Sequence, residues 1–484
     1  MWVKALRWAR RADNLRTASV LIFFLVGVSS PAMAQVGTID SFPAPALVPP
    51  AVAAWRNPGT AAPGPELAQI GVIGGPSASG LSAPPVATGR PEEFAAPGRE
   101  RTALALDDWL IYPTAFGGFF YDSNPAQSPV ATSSFGTRLV PSFLAERADG
   151  IHKTSLYGMA DARFFFTTID NTNNLIAARA GVTEIYQPLS DLVLTGQLDF
   201  TRQRDLFATF GVDPTLTPLN PTGVGLAPST NPVSYNQLVA NATVQKTFSE
   251  AFVLGSANVL DLSYDRPSLG QTAPSPDGTI YTGSIRGGYW IVPVLYGFGE
   301  VLGDTRRYAT NTLSSSGYRI TGGVGSDQVG LFKGEASFGY QSEMGDSPAL
   351  GTISGIAFNG QIHYFPLPEL TIDTSFGRTI GVSLLANASN SSVGTSTVVT
   401  NIIGQARYQL AQEWSASGRA GFIHTDYTGN VRKDDSWTAG TTVTYSVWQN
   451  LGVTLDFQYI ELSSNIPFQS FSREVVTLGL TYKY

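Results

Sequence analysis

The chain has no cysteine. That excludes a disulfide framework, a thiolate metal site and a lipid-modified N-terminal cysteine. Charge is also scarce: 14% of the 484 residues are Asp, Glu, Lys or Arg, against about 25% in ordinary soluble domains. The formal net charge is −7, which argues against nucleic acid as a partner, since that would call for clustered Lys and Arg. Histidine is limited to His152, His363 and His424. Beyond residue 35 every apolar run is broken within a few residues by Gly, Thr, Asn, Asp or Arg, so no later segment reaches the roughly 20 residues a spanning helix needs. What the chain has instead is glycine (50), phenylalanine (27) and tyrosine (19). A soluble β-sandwich array would carry more surface charge. Low charge with many aromatics fits strands whose outer surface meets lipid, and only a closed barrel satisfies strand backbone there.

The N-terminus carries a basic stretch (Lys4, Arg7, Arg10, Arg11, Arg16), an apolar run over residues 18–28 and the small-x-small ending Ala32-Met-Ala34. This order is that of a secretory signal peptide over residues 1–34. The apolar run of about eleven residues is short for an anchor helix. Residues 35–104 are rich in Pro, Ala and Gly and bury too little apolar surface to offset ordering entropy. They read as a disordered periplasmic segment, with a tether to a periplasmic partner or a plug in the lumen as alternatives.

From residue 105 to 484 the sequence becomes a train of strand-like runs whose connections alternate in length. Long polar stretches fall at 122–134, 170–174, 204–234, 265–278, 309–316, 342–351, 382–396, 427–435 and 463–469. Short ones fall between them, at 147–152, 187–191, 248–251, 292–294, 326–328, 365–369, 411–413 and 447–450. Outer-membrane barrels show this asymmetry, with long extracellular loops and short periplasmic turns. The expectation is an all-β, antiparallel, up-and-down transmembrane barrel of about 18 strands, or 16 if one hairpin is misread, with both termini periplasmic.

Period-two alternation assigns faces. Leu156, Gly158, Ala160, Ala162, Phe164 and Phe166 would face lipid, opposite Tyr157, Met159, Asp161, Arg163 and Phe165. Residues 258–265 and 376–378 do not sort cleanly and imply a bulge or a shifted boundary. Trp109, Tyr112, Tyr186, Phe248, Trp290, Tyr364, Phe365, Trp414 and Trp448 lie beside short turns and read as a periplasmic girdle, with Tyr121, Tyr308, Tyr427 and Trp437 at the other interface. In the last run Leu478, Leu480, Tyr482 and Tyr484 alternate outward. They resemble the C-terminal strand by which the barrel-assembly machinery recognises outer-membrane proteins.

The stretch Phe116-Gly-Gly-Phe-Phe-Tyr-Asp-Ser-Asn-Pro125, followed by Arg138-Leu-Val-Pro-Ser-Phe143, resembles the opening hairpin of the putative β-barrel porin 2 family. The resemblance covers the barrel and is specific in this hairpin alone. It implies a porin-like barrel, and because some members are encoded with exopolysaccharide genes it also implies a possible export role. Read locally, Asp122 and Asn124 suit a turn, with a calcium ligand as the lesser alternative for Asp122.

No nucleophile motif of the G-x-S-x-G type and no H-x-x-x-H spacing occurs. His424 with Asp426 on one strand face is the nearest approach to a catalytic pair, and an interfacial histidine beside a loop aspartate accounts for it. Neither an enzyme, a cofactor nor a metal site is expected. The candidate functional residues are inward charges: Arg138, Asp161, Arg163, Arg179, Asp199, Arg286, Glu300, Asp304, Arg306, Arg319, Lys333, Glu335, Asp373, Arg407, Arg419 and Asp456. They either line a water-filled pore or pair across neighbouring strands and fill a closed interior. Three functions follow as expectations. The first is a passive channel for small polar solutes, the second a component of polysaccharide export, and the third a structural or adhesive barrel acting through its loops. The expected surroundings are outer-membrane lipid and lipopolysaccharide.

Overall fold

The structure is a computed structural model that describes residues 103–166, 175–204, 234–265, 277–309, 314–329, 331–348, 351–383, 395–427, 432–467 and 470–484. The expected signal peptide, the Pro-rich segment as far as residue 102, and the interiors of most long connections lie outside the described residues.

A short strip, β1 (Leu104–Leu106), folds back on the foot of β2 (Trp109–Asp122). The chain then runs through β3 (Ser134–Ala148), β4 (His152–Phe165), β5 (Leu175–Leu189), β6 (Leu192–Arg204), β7 (Ser234–Phe248), β8 (Ala251–Tyr264) and β9 (Gly278–Val292). It continues with β10 (Leu295–Tyr308), β11 (Ser315–Val329), β12 (Phe332–Gly345), β13 (Thr352–Leu367) and β14 (Leu370–Ser383). The last five are β15 (Thr395–Gln409), β16 (Trp414–Tyr427), β17 (Lys433–Ser446), β18 (Leu451–Ser464) and β19 (Phe471–Lys483). Each strand from β2 onward pairs antiparallel with the next. β19 pairs back on β2, from Val475 with Asp122 to Lys483 with Thr114. Eighteen strands therefore close a ring, and an even number is what lets the first and last strands meet antiparallel. The expected barrel and its strand number both stand. Several boundaries move: β5 runs on to Leu189, β12 to Gly345 and β13 to Leu367, and residues 326–328 belong to β11, which runs on to Val329, because a polar Ser-Asp-Gln triplet at a strand end reads like a turn.

Alternation gives the ring two different faces. The outer face is apolar at mid-height, with Phe119, Leu139, Ile285, Val301, Ile320, Phe338, Ile402 and Leu478 exposed. Outward charges gather at the two ends, as in the pairs Arg202–Asp265, Arg307–Asp346 and Lys433–Asp426 where the long connections lie and Lys246–Asp191 at a short turn. That is the depth dependence a lipid-facing barrel requires. The inner face explains the abundance of glycine and aromatics. Phe252 lies over Gly288 and Tyr296 over Gly325, so close that a Cβ on either glycine would stand 2.2–2.3 Å from the ring. Rings laid flat over a cross-strand glycine cover backbone the glycine leaves bare. Phe252, Trp290, Tyr296 and Phe298 form one such inner cluster.

Several outward assignments need correction. Tyr112, Trp290, Tyr308 and Tyr427 face inward: Tyr112 packs against Leu144 and Tyr157, and the other three are buried. Nearness to a turn sets height on the barrel, whereas parity along the strand sets the face, and parity decides here. Residues 258–264 contain no bulge. They resisted sorting because the inner face is itself apolar there, with Leu260 and Leu262 packed on Tyr235, Val239 and Ile280, while Asp261 points outward and accepts a hydrogen bond from Thr279.

The junction of β13 and β14 is incomplete. β13 and β14 pair from Leu367 with Leu370 up to Phe358 with Arg378, and no further.

Candidate functional site

All sixteen candidate charges lie on strands of the ring, at inward positions by register. The structure gathers most of them into small groups. On β3 and β4, Arg138 donates to Asp161 through Nε at 2.9 Å and Nη2 at 2.7 Å, and Arg163 reaches the same carboxylate at 3.2 Å. On β5 and β6, Arg179 Nε donates to Asp199 at 2.9 Å, and Tyr157 donates its hydroxyl to the same carboxylate. Arg286 on β9 holds two acids at once. Its Nε donates to Glu300 at 2.8 Å and its Nη1 to Glu335 at 2.9 Å, with its plane over the Phe298 ring. Arg306 donates to Asp304 at 3.0 Å and pairs with Glu343 at 3.3 Å. Asp373 is shared by His363 and Arg407. Asp456 takes Arg419 at 3.2 Å and the Thr442 hydroxyl at 2.6 Å.

Lys333 occupies the short-turn end of β12, in register with His363. Arg319 is nearly buried yet makes no hydrogen bond or ion pair among the described residues.

These groups share one geometric property: every pair runs sideways along the wall. The widest, Arg286 with Glu335, joins β9 to β12. The other pairs named above join strands no further apart than that. Buried ion pairs of this kind contribute little net stability, but losing one partner strands a charge and is costly.

Sequence reasoning missed three groups of participants. Glu343 follows Glu335 by eight residues on β12, so parity alone would have placed it inward. Arg432 and Tyr427 both donate to Asp434 at 2.9 Å. The third is Arg473, which sits on β19 with 1% of its surface exposed and grips Asp122 on β2, itself wholly buried. Its Nε lies 3.0 Å from Oδ1 and 3.2 Å from Oδ2.

This last pair gives the Tyr-Asp-Ser-Asn-Pro stretch a role. Asn124 donates its backbone N–H to Asp122 at 3.1 Å and its side-chain amide to the carbonyls of Ser128 at 2.7 Å and Ser472 at 3.0 Å. The turn expected from Asp and Asn is present, and it clasps the first strand to the last. Both oxygens of Asp122 are taken up by Arg473, so the structure lends nothing to a calcium role. His424 lies on the outer face, its Nδ1 2.6 Å from Asp435 and its Nε2 3.2 Å from Asp426, so carboxylates occupy both ring nitrogens. In the turn between β5 and β6, a hydrogen bond from Lys246 holds the Asp191 carboxyl below its ordinary range.

A family model described as "Putative beta-barrel porin 2" matches residues 104–484. Solved structures similar to this chain include OccK9 (OpdG) of Pseudomonas aeruginosa, at 12% identity and a TM-score of 0.39 over 80% of this chain and 100% of that one. OccAB4 of Acinetobacter baumannii is similar at 9% identity and 0.40, over 77% and 98%. A mutant ferric enterobactin receptor, PfeA, of Pseudomonas aeruginosa is similar at 8% and 0.37, over 77% and 80%. No curated protein matches the sequence.

Proposed function

The chain belongs to the family described as Putative beta-barrel porin 2, and on that premise we propose that this porin-like outer-membrane β-barrel is a passive channel for small polar solutes. One observation carries the reading. The inner charges named above satisfy one another along the wall, across at most three strands, a pairing that is compatible with an open axial path. A ring of this size is wide enough for an aqueous path. Fixed arginines and carboxylates along it would set a field that sorts solutes by charge. In this reading the long connections face outward from the cell, both ends of the barrel chain are periplasmic, and lipid and lipopolysaccharide surround the apolar belt. Polysaccharide export and adhesion draw on the Pro-rich segment and on residues 204–234, nearly all of which lie outside the described residues.

Liposome swelling tests the channel. Proteoliposomes moved into isotonic arabinose, glucose or sucrose should swell at rates that fall with solute size. Rates equal to those of protein-free vesicles for all three sugars would end the proposal.

A further inference from the structure

β14 leaves the wall partway up. Its ladder with β13 ends at Phe358 with Arg378, while residues 352–357 go on pairing with β12 and residues 379–383 with β15. Gly377 and Gly381 bracket the stretch where it departs, and glycine inside a strand marks a bend or a close backbone approach.

The departure is inward. The carbonyls of Arg378 and Ile380 lie two residues apart and so point along one edge of β14. Side chains of the inner wall meet both. Gln341 of β12 places its amide 3.4 Å from the Arg378 carbonyl, past the intervening β13. Arg306 of β10 donates to the Ile380 carbonyl at 3.0 Å. In an unbroken wall β10 and β14 would stand four strand spacings apart, about 19 Å, farther than an arginine reaches. By parity Ile380 would face lipid, yet only 4% of it is exposed. It shares a small cavity with Leu302, Arg306 and Gln341, all at inward positions of β10 and β12. The upper end of β14 therefore crosses β13 on the lumen side and lies over the inner face of β10–β12.

Its place in the wall is kept. Were the register of β13 with β14 to go on, Ile356 would stand opposite Ile380 and Ser354 opposite Val382. A return to the wall would exchange the side-chain contacts for ladder hydrogen bonds, so both positions offer partners to the same edge. An element with two discrete arrangements of this kind can switch.

We propose that upper β14 is a strap that folds inward across β13 and narrows the solute path, held by Arg306 and Gln341, and that its return to the wall by pairing with upper β13 widens the path. Its effect on solutes rests on the channel reading, whereas its position does not.

The chain has no cysteine of its own, so paired cysteines report position cleanly. Gln341→Cys/Thr379→Cys, exported through an oxidising periplasm, should form a disulfide. With β14 in the wall its two strands would lie two spacings apart, about 9.6 Å, beyond the ~7 Å that a disulfide spans. Ser354→Cys/Val382→Cys, bonded by added oxidant, locks the strap in the wall. In liposome swelling this second form should admit sucrose at least twofold faster than the first, with arabinose nearly equal, and reductant should abolish the difference. Equal sucrose rates in the two bonded forms would overturn the proposal. So would failure of the first pair to bond in a barrel that keeps heat-modifiable migration. A second pair that does not bond would refute the return to the wall. Entry of neither sugar in any form would end the channel reading and the strap's role in it, while the first disulfide would still place β14. The native chain decides the strap's position even where a variant does not fold. Successive amides of a strand point to opposite neighbours, so alternate amides of residues 352–357 should exchange with deuterium at least tenfold faster than those bonded to β12. Uniformly slow exchange there would put β14 in the wall and overturn the proposal.

Discussion

Arg473→Ala is expected to destabilise the folded barrel by about 3–5 kcal/mol, the usual cost of stranding one partner of a buried ion pair. Asp122 has no exposed surface and turns both oxygens toward Arg473, so its carboxylate would remain dehydrated with no cation. The loss falls at the only place where the two ends of the strand series meet, and Asn124 and Ser472 lie in the same clasp. The double variant Asp122→Leu/Arg473→Leu leaves no charge behind and should recover most of the loss, because replacing a buried pair by apolar groups is often close to neutral. Urea unfolding in lipid vesicles, followed by tryptophan fluorescence, measures both. A single variant within about 0.5 kcal/mol of native, the range of ordinary surface changes, would mean that the pair does not hold the closure.

Arg286→Ala should have two effects at once. It leaves Glu300 and Glu335 without their shared cation, and both are nearly buried, so destabilisation of about 3–5 kcal/mol is expected on the same ground. It also removes one positive charge from the wall beside two carboxylates. In a KCl gradient across a planar bilayer, the reversal potential should shift toward cation preference. Arg286→Lys should keep the selectivity of the native wall better than its stability, since lysine supplies the charge but not the two-sided fork that reaches both acids. Unchanged selectivity in Arg286→Ala would show that this part of the wall does not face the conducting path.

The barrel was legible because its two signals are local. Period two along a strand survives in single stretches such as 156–166, and long and short connections alternate without reference to any other part of the chain. The inward charges were legible for the same reason. Their partners were not. Parity assigns Arg286 to a face, but nothing in the sequence says that Glu335, three strands on, stands within reach. Asp122 and Arg473 are 351 residues apart and meet only because the ring closes. The misassigned aromatics show the limit from another side. Trp290 and Tyr296 sit beside one short turn, and both look inward to pack on Phe252. An apolar inner face defeats the rule that apolar means lipid. The break in pairing between β13 and β14 left no trace at all, since residues 352–357 and 379–383 read as ordinary strand and only their mutual pairing is missing.

The central claim is that wall charges pair sideways and leave an axial path open. Single-channel recording of the purified chain in a planar bilayer tests it most directly. The account predicts discrete, stable openings with a linear current–voltage relation and a conductance that rises with KCl concentration. A correctly inserted barrel that stays electrically silent at all voltages and salt concentrations would contradict it.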